Sequence, residues 1–211
     1  MEKLIFLIRH GSLPEEMSGR LIGQCGTPLS DQGVREAAAC GRFLADVRFD
    51  AVFAGTLPRV SQTLEAFAEY GDAESLRRAV RDPRLNEFDF GEWTERFVRG
   101  LTGKDAELYA GWNFGNPEFS FPGGELVSAF TERTRAAWRD ICATPGERIA
   151  VFSHGGVIMS LLADIVGLDR RYALRLWVAR GGLARVHWDA EKRTGRVALI
   201  AKPIEFESPR T

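Results

Sequence analysis

The chain has 211 residues, 45% hydrophobic, 27% charged and 10% aromatic, the composition of an ordinary globular protein built on one core. Lys and Arg number 28 against 29 Asp and Glu, so the formal charge is -1, without the basic excess of a dedicated nucleic-acid or membrane-surface protein. The apolar fraction excludes disorder, and the near-neutral total still leaves room for a small electropositive pocket.

Leu4 to Ile8 is a continuous apolar run ending in Arg9-His10-Gly11, which reads as a buried parallel strand feeding a loop. That run is too short for a signal-peptide core, and no stretch reaches the roughly 20 apolar residues of a membrane span. The loop, about Ser12 to Leu29, is rich in Gly and Pro. Ser30-Asp31 then reads as a helix start, followed by an amphipathic stretch from Val34 to Leu44. Ala51-Val52-Phe53 predicts a second strand, with a helix from about Arg59 to Tyr70 after it. Phe88 to Phe121 holds nine of the chain's aromatic residues, suiting either a segment that covers a site or a second hydrophobic cluster. Arg148 to Phe152 predicts a third strand, ending in Ser153-His154-Gly155-Gly156, and a helix from about Val157 to Val166 follows. Gly182 to Trp188 and Arg196 to Ala201 predict a late hairpin near the sheet edge. Strands alternating with helices indicate an α/β protein: three layers, α/β/α, around a mainly parallel central sheet, in a single domain over 1–211.

Cys25, Cys40 and Cys142 are scattered and form no C-x-x-C pair, which argues against a disulfide framework or structural zinc and for a cytoplasmic location. Only three histidines occur, and two share one setting: apolar strand, one polar residue, His, then Gly. In open α/β sheets the carboxyl ends of the strands form the ligand crevice, so His10 and His154 are expected to face each other there. A glycine after each lets the backbone turn and lets a ligand approach closely. His187, inside a late strand with no following Gly, reads as structural.

Three chemistries suit two facing histidines. A metal site is disfavoured, because Arg9 adjoins His10 and no compact ligand spacing exists; no metal or cofactor is expected. Ser-His hydrolysis through Ser153 or Ser12 is weak without a G-x-S-x-G elbow. The third is a histidine nucleophile attacking phosphorus while arginines and the second histidine hold the phosphate oxygens. Arg59, near a helix start, is a candidate second clamp. Glu87, in apolar company within Leu85-Asn86-Glu87-Phe88, is in a setting that keeps a carboxyl available as an acid, with Asp89 and Glu92 as rivals.

Arg9-His10-Gly11, Leu57-x-Arg59 with Gln62-Thr63, Leu85-Asn86-Glu87 with Phe90-Gly91-Glu92-Trp93, Pro122-Gly123-Gly124-Glu125, and Ser153-His154-Gly155-Gly156 stand in an order that resembles the histidine phosphatase superfamily, which includes the cofactor-dependent phosphoglycerate mutases. The resemblance spans about residues 3 to 200. Ile22-Gly23-Gln24, Thr27-Pro28-Leu29-Ser30 and Asp105-Ala106-Glu107-x-Tyr109-x-x-Trp112 are most similar to the α-ribazole phosphatases of cobalamin biosynthesis within it. The resemblance implies a phosphoglycerate mutase-like fold and a phosphomonoester hydrolase. His10 would form a phosphohistidine, Arg9, Arg59 and His154 would hold phosphoryl oxygens, and Glu87 would be the proton donor. Gly11, Gly23 and Gly155 would add phosphate or substrate contacts. A small phosphate ester is the expected partner, with a homodimer as an option. The alternatives are a broad-specificity phosphatase, a phosphoglycerate mutase, or a weakly active phospho-ligand or protein-binding domain. Ser12, Leu13, Glu16, Gly55-Thr56 and Leu126 depart from the family pattern; Glu16, a carboxylate where a phosphate contact is usual, is expected to point away, or the loop to be rearranged.

Overall fold

The computed structural model describes residues 2–206. The first apolar run forms β1 (Glu2–Arg9), and Ala51-Val52-Phe53 lies in β2 (Ala51–Ala54). Further strands are β3 (Val80–Arg81), β4 (Arg148–Ser153), β5 (Leu183–Asp189) and β6 (Thr194–Ala201). Among the described residues these six make one sheet in the order β3-β2-β4-β1-β5-β6. The first four lie parallel, and β5 and β6 continue the sheet antiparallel as the expected edge hairpin. The mixed α/β architecture expected from the strand–helix alternation is borne out.

The helices are α1 (Asp31–Phe43), α2 (Pro58–Ala68), α3 (Ala73–Arg77), α4 (Gly103–Gly111), α5 (Val127–Ala143) and α6 (Gly155–Val166). Side chains alternate across a strand, so β1 is committed to two cores at once. Phe6 and Ile8 pack with Val52, Phe152, Cys40 of α1 and Phe67 of α2. Ile5 and Leu7 pack with Val151, Phe130 and Ile141 of α5, and Ile158 and Leu162 of α6. Full burial of each such side chain contributes about 1.5–3 kcal/mol before chain entropy is subtracted.

The predicted boundaries shift for local reasons. Ser30 caps α1 by accepting the Gly33 amide at 3.1 Å, so this helix begins before the amphipathic stretch. Pro58 takes the first position of α2, where its missing N–H costs nothing, and the helix ends at Ala68 rather than Tyr70. The helix expected from Val157 begins two residues earlier, so Gly155 and Gly156 form its first turn. It stops at Gly167, whose φ of 67° is the left-handed cap geometry. The strands expected from Gly182 and Arg196 begin at Leu183 and Thr194. α3, α4, α5 and β3 were not anticipated.

The buried members of the aromatic segment join the core that already holds Ile5 and Leu7, rather than a second cluster. Phe88, Phe90, Trp93, Phe114 and Phe121 are buried in the core under α5, where Phe114 stacks on Phe130 at 5.1 Å. Tyr109 and Trp112 are only half-buried. Among the described residues no helix is long and apolar enough to cross a membrane.

Candidate active site

The parallel register of β1 with β4 pairs Ile8 with Phe152 and Arg9 with Ser153. His10 and His154 therefore leave the sheet in step on adjacent strands, tied by a bond from the His10 amide to the Ser153 carbonyl at 3.1 Å. Their ring centroids are 5.3 Å apart. Arg59 arrives from the next strand over, one residue into α2, and Glu87 from the chain that follows β3. All five candidates thus gather at the carboxyl edge of the parallel strands, where an α/β crevice is expected. A cavity of about 370 Å³ opens there, lined by Arg9, His10, Arg59 and Glu87 and walled by Phe90, Tyr109, Trp112 and Trp177. His154 is fully buried beside His10 and does not itself line the cavity.

His10 Nδ1 lies 2.8 Å from the Gly11 carbonyl. A carbonyl only accepts, so Nδ1 carries the hydrogen and the neutral ring has a free lone pair on Nε2. Burial first, then the charges of Arg59 and Arg9, hold His10 well below the usual imidazole range. His154 is held low in the same way, by burial, Arg59, His10 and Arg9. Neither of its ring nitrogens has a partner among the described residues, and a buried polar ring without a partner calls for a ligand.

These shifts fix a pH dependence of stability. Unfolded, both histidines titrate near about 6.5; folded, both titrate well below that. Between the two values the unfolded chain binds protons that the native site refuses, so stability falls as pH drops through about 6.5 and is fully present above it. The melting temperature is expected to decline between about pH 7.5 and 5.5, and to decline less in the double variant His10→Asn, His154→Asn. An equal decline in both proteins would contradict this.

Each arginine is held by backbone oxygen. Arg9 donates Nη1 to the Val178 carbonyl at 2.6 Å and lies 4.5 Å from the ring centroid of Trp177. Its Nε is buried without a partner, and burial pushes its pKa down to about 10. Arg59, 1% exposed, donates Nη1 to Cys25 O at 3.0 Å and Nη2 to Gly23 O at 2.6 Å, leaving its Nε unpartnered. Glu87 accepts the amides of Phe88 (3.0 Å) and Gly156 (3.1 Å), the latter in the first turn of α6. This separates it from its rivals. Asp89 turns back onto the Gly91 amide, and neither it nor Glu92 lines the cavity.

Each glycine has a distinct setting. The Gly11 amide is donated to Thr63 Oγ1 at 3.1 Å, and its carbonyl holds His10. A Cβ there would lie 2.2 Å from the Gly33 carbonyl, so the close approach it permits is to α1. Gly23 lines the cavity and acts through the carbonyl that holds Arg59. At Gly155 a Cβ would come within 2.9 Å of the Arg9 guanidinium. Glu16 is exposed and lies off the cavity, as expected. Ser153 is spent on the Leu85 carbonyl at 2.7 Å, and His187 pairs with Glu2 far along the sheet. Leu13 is buried, and Thr56 in the Gly55-Thr56 turn bonds Asn86 through its amide and hydroxyl, fixing that turn to the chain carrying Glu87.

Three residues at the site carry no signal in the sequence. Arg133 on α5 donates to the carbonyls of Arg84, Asn86 and Glu87 at 2.7–2.9 Å and grips Glu125, which fixes the chain on either side of Glu87. Trp177, 60% exposed, lies over Arg9 at the cavity rim. Arg180 lines the same cavity, and its side chain makes no hydrogen bond or ion pair among the described residues.

The comparisons agree with this geometry. Residues 5–199 match the model of the histidine phosphatase superfamily (branch 1), and the chain belongs to that superfamily. It is 31% identical over 206 residues to the adenosylcobalamin/alpha-ribazole phosphatase of Escherichia coli strain K12, covering 97% of this chain and 98% of that one. It is also 31% identical to the Salmonella typhimurium protein of the same name, over 82% of this chain and 83% of the relative. The solved structure of a putative alpha-ribazole-5'-P phosphatase from E. coli K-12 superposes with a TM-score of 0.81 at 25% identity, covering 95% and 97% of the two chains. Membership and these relatives make the chain an enzyme, a phosphatase, and the resemblance read from the ordered motifs is borne out.

Proposed function

We propose that this phosphatase hydrolyses a small organic phosphomonoester through a phosphohistidine on His10, with α-ribazole 5'-phosphate as its favoured substrate. The observation that carries the reading is the Gly11 carbonyl on His10 Nδ1, which leaves Nε2 free in a cavity lined by two buried guanidiniums and beside an unpartnered second histidine. In the first step the Nε2 lone pair attacks phosphorus. Arg9, Arg59 and an N–H of His154 take up the charge that spreads over the phosphoryl oxygens. Glu87 gives its proton to the departing ester oxygen. In the second step the Glu87 carboxylate takes a proton from water, the water oxygen attacks phosphorus, and the N–P bond breaks to release phosphate.

Substrate preference rests on the relatives' activity and on the wall. Phe90, Tyr109, Trp112 and Trp177 offer aromatic surface to a benzimidazole ring attached through its ribose. The family match over 5–199 supports one domain for the whole chain, with the aromatic-rich stretch as part of its cover. The free cysteines support a cytoplasmic location.

A substrate panel tests this. We expect kcat/KM for α-ribazole 5'-phosphate to exceed that for 3-phosphoglycerate and p-nitrophenyl phosphate by about tenfold or more, a difference of about 1.4 kcal/mol. Equal rates on all three would leave a broad phosphatase. Isomerisation of the phosphoglycerate without phosphate release would make it a mutase.

A further inference from the structure

Arg180 lines the cavity but takes no part in the two reaction steps above. Arg180 lies in the segment between Trp177 and β5, which is fastened to the reacting dipeptide at several points. Gly181 donates its amide to the His10 carbonyl, Gly182 accepts the Arg9 amide, both at 2.9 Å, and Val178 accepts the Arg9 guanidinium. The turn is tight: Gly181 has a φ of 66°, and a Cβ there would lie 2.3 Å from Cβ of Glu36. Arg180 is thereby delivered to the same cavity as Arg9, His10 and Arg59.

Its side chain differs from the other cavity arginines in having nothing to hold. Arg9 and Arg59 spend part of their guanidinium on carbonyls, and Arg20 at the rim donates to the carbonyls of Glu16 and Glu95. Arg180 makes no hydrogen bond or ion pair among the described residues. Glu36, the carboxylate that acts on it electrostatically, is engaged by the Ser12 amide at 2.8 Å and by Lys202 at 3.2 Å. Burial holds Arg180 below its ordinary pKa, and its charge pushes those of Arg9, His10 and Arg59 down in turn. Three guanidiniums in one cavity repel one another unless an anion joins them. The guanidiniums outnumber the one carboxyl of the cavity, Glu87, so the cavity is positive, as a phosphomonoester dianion requires.

We propose that Arg180 is a third substrate-binding guanidinium, which closes on the phosphoryl oxygens of the dianion beside Arg9 and Arg59. The assignment rests on the phosphatase reading above. Arg180 brings its full set of donors to the ligand, since none is committed to the protein, and so favours the doubly charged phosphate over singly charged or neutral groups of similar size.

The test is isothermal titration of inorganic phosphate into wild type, Arg180→Gln and Arg180→Lys, with steady-state hydrolysis of p-nitrophenyl phosphate by each. Arg180→Gln is expected to weaken phosphate binding by about tenfold or more, the loss of one charge-assisted contact, and to raise KM more than it lowers kcat. Arg180→Lys is expected to recover part of the affinity, because it restores the charge without the fork. Should Arg180→Gln fail to fold, reduced phosphate affinity in Arg180→Lys carries the result. Wild-type phosphate affinity in the folded variants overturns the assignment, and a fall in kcat alone would leave Arg180 as a support for Arg9-His10. If wild type neither binds phosphate nor releases it from an ester, the phosphatase reading fails and this one with it. If wild type does both and the variants match it, only Arg180 is at fault.

Discussion

His10→Ala is expected to lower kcat/KM for any phosphomonoester by about 10⁴-fold or more while leaving inorganic phosphate bound. The substitution removes the one imidazole nitrogen, among the described residues, that is both left unprotonated by its ring's hydrogen bonding and at the cavity. It leaves Arg9 and Arg59 on their carbonyl anchors, because neither guanidinium is held by the His10 ring. Binding and turnover should therefore separate. Quenching wild type during turnover in alkaline detergent should trap base-stable, acid-labile protein-bound phosphate, absent from the variant. Residual hydrolysis within about tenfold of wild type would mean that water attacks phosphorus directly and that His10 only binds.

Arg9→Met is expected to cost activity without costing stability. Loss of one guanidinium from the phosphoryl cage should reduce kcat/KM by about 10²–10³-fold, in the range found for removing one oxyanion donor. Stability is a different matter. Arg9 is 7% exposed, and burial, which lowers its pKa to about 10, sets about 3 kcal/mol against the charged form. Leaving the Val178 carbonyl without its donor costs about 1–3 kcal/mol, which does not exceed that relief. The melting temperature of Arg9→Met should equal or exceed that of wild type, measured without phosphate. Added phosphate should then raise the wild-type melting temperature more than the variant's, because the anion binds the folded cage alone. A clear drop in the ligand-free melting temperature would show that Arg9 holds the fold together as well.

Much of this site was legible in one chain because its parts sit at strand ends. The apolar runs of β1 and β4 are short, unbroken and followed by the same His-Gly pair, so the fold and the two histidines announced each other. Arg59 and Glu87 needed the ordered motifs, since an arginine near a helix start and a carboxylate beside apolar residues are individually common. What stayed hidden had a physical reason in each case. β3 is a two-residue, exposed strand at the edge, below any periodic signal. α4 has no buried residue and a glycine at each end. α5 has a buried Thr134 in its apolar stripe and no side-chain cap at Leu126, which blurs both its period and its start. Arg133 therefore went unplaced, although it holds the chain that carries Glu87. Arg180 and Trp177 lie in a segment with no regular element, and only the folded backbone brings them to Arg9. For Gly11 nothing in the sequence pointed to its neighbour in the fold: the space the glycine frees is filled by α1.

The pairing of β1 with β4 has an evolutionary corollary. The separation of the two histidines is measured by a ladder of backbone hydrogen bonds that runs the length of both strands, with Leu4 opposite Arg148 at one end and Arg9 opposite Ser153 at the other. A loop plays no part in that ruler. Outside the carbonyls that hold Arg59 and the rings buried in the core, the stretch from Ser12 to Leu29 and the aromatic region from Phe88 to Phe121 can gain or lose residues, changing which molecules are admitted while the distance between the histidines stays the same. An insertion of a single residue inside β4 has the opposite character. It would turn alternate side chains to the other face of the sheet, sending Val151 toward α2 and His154 out of phase with His10. Divergence of substrate among descendants of this chain should accordingly be written in the lengths of its loops, and loss of catalysis in the lengths of its two central strands.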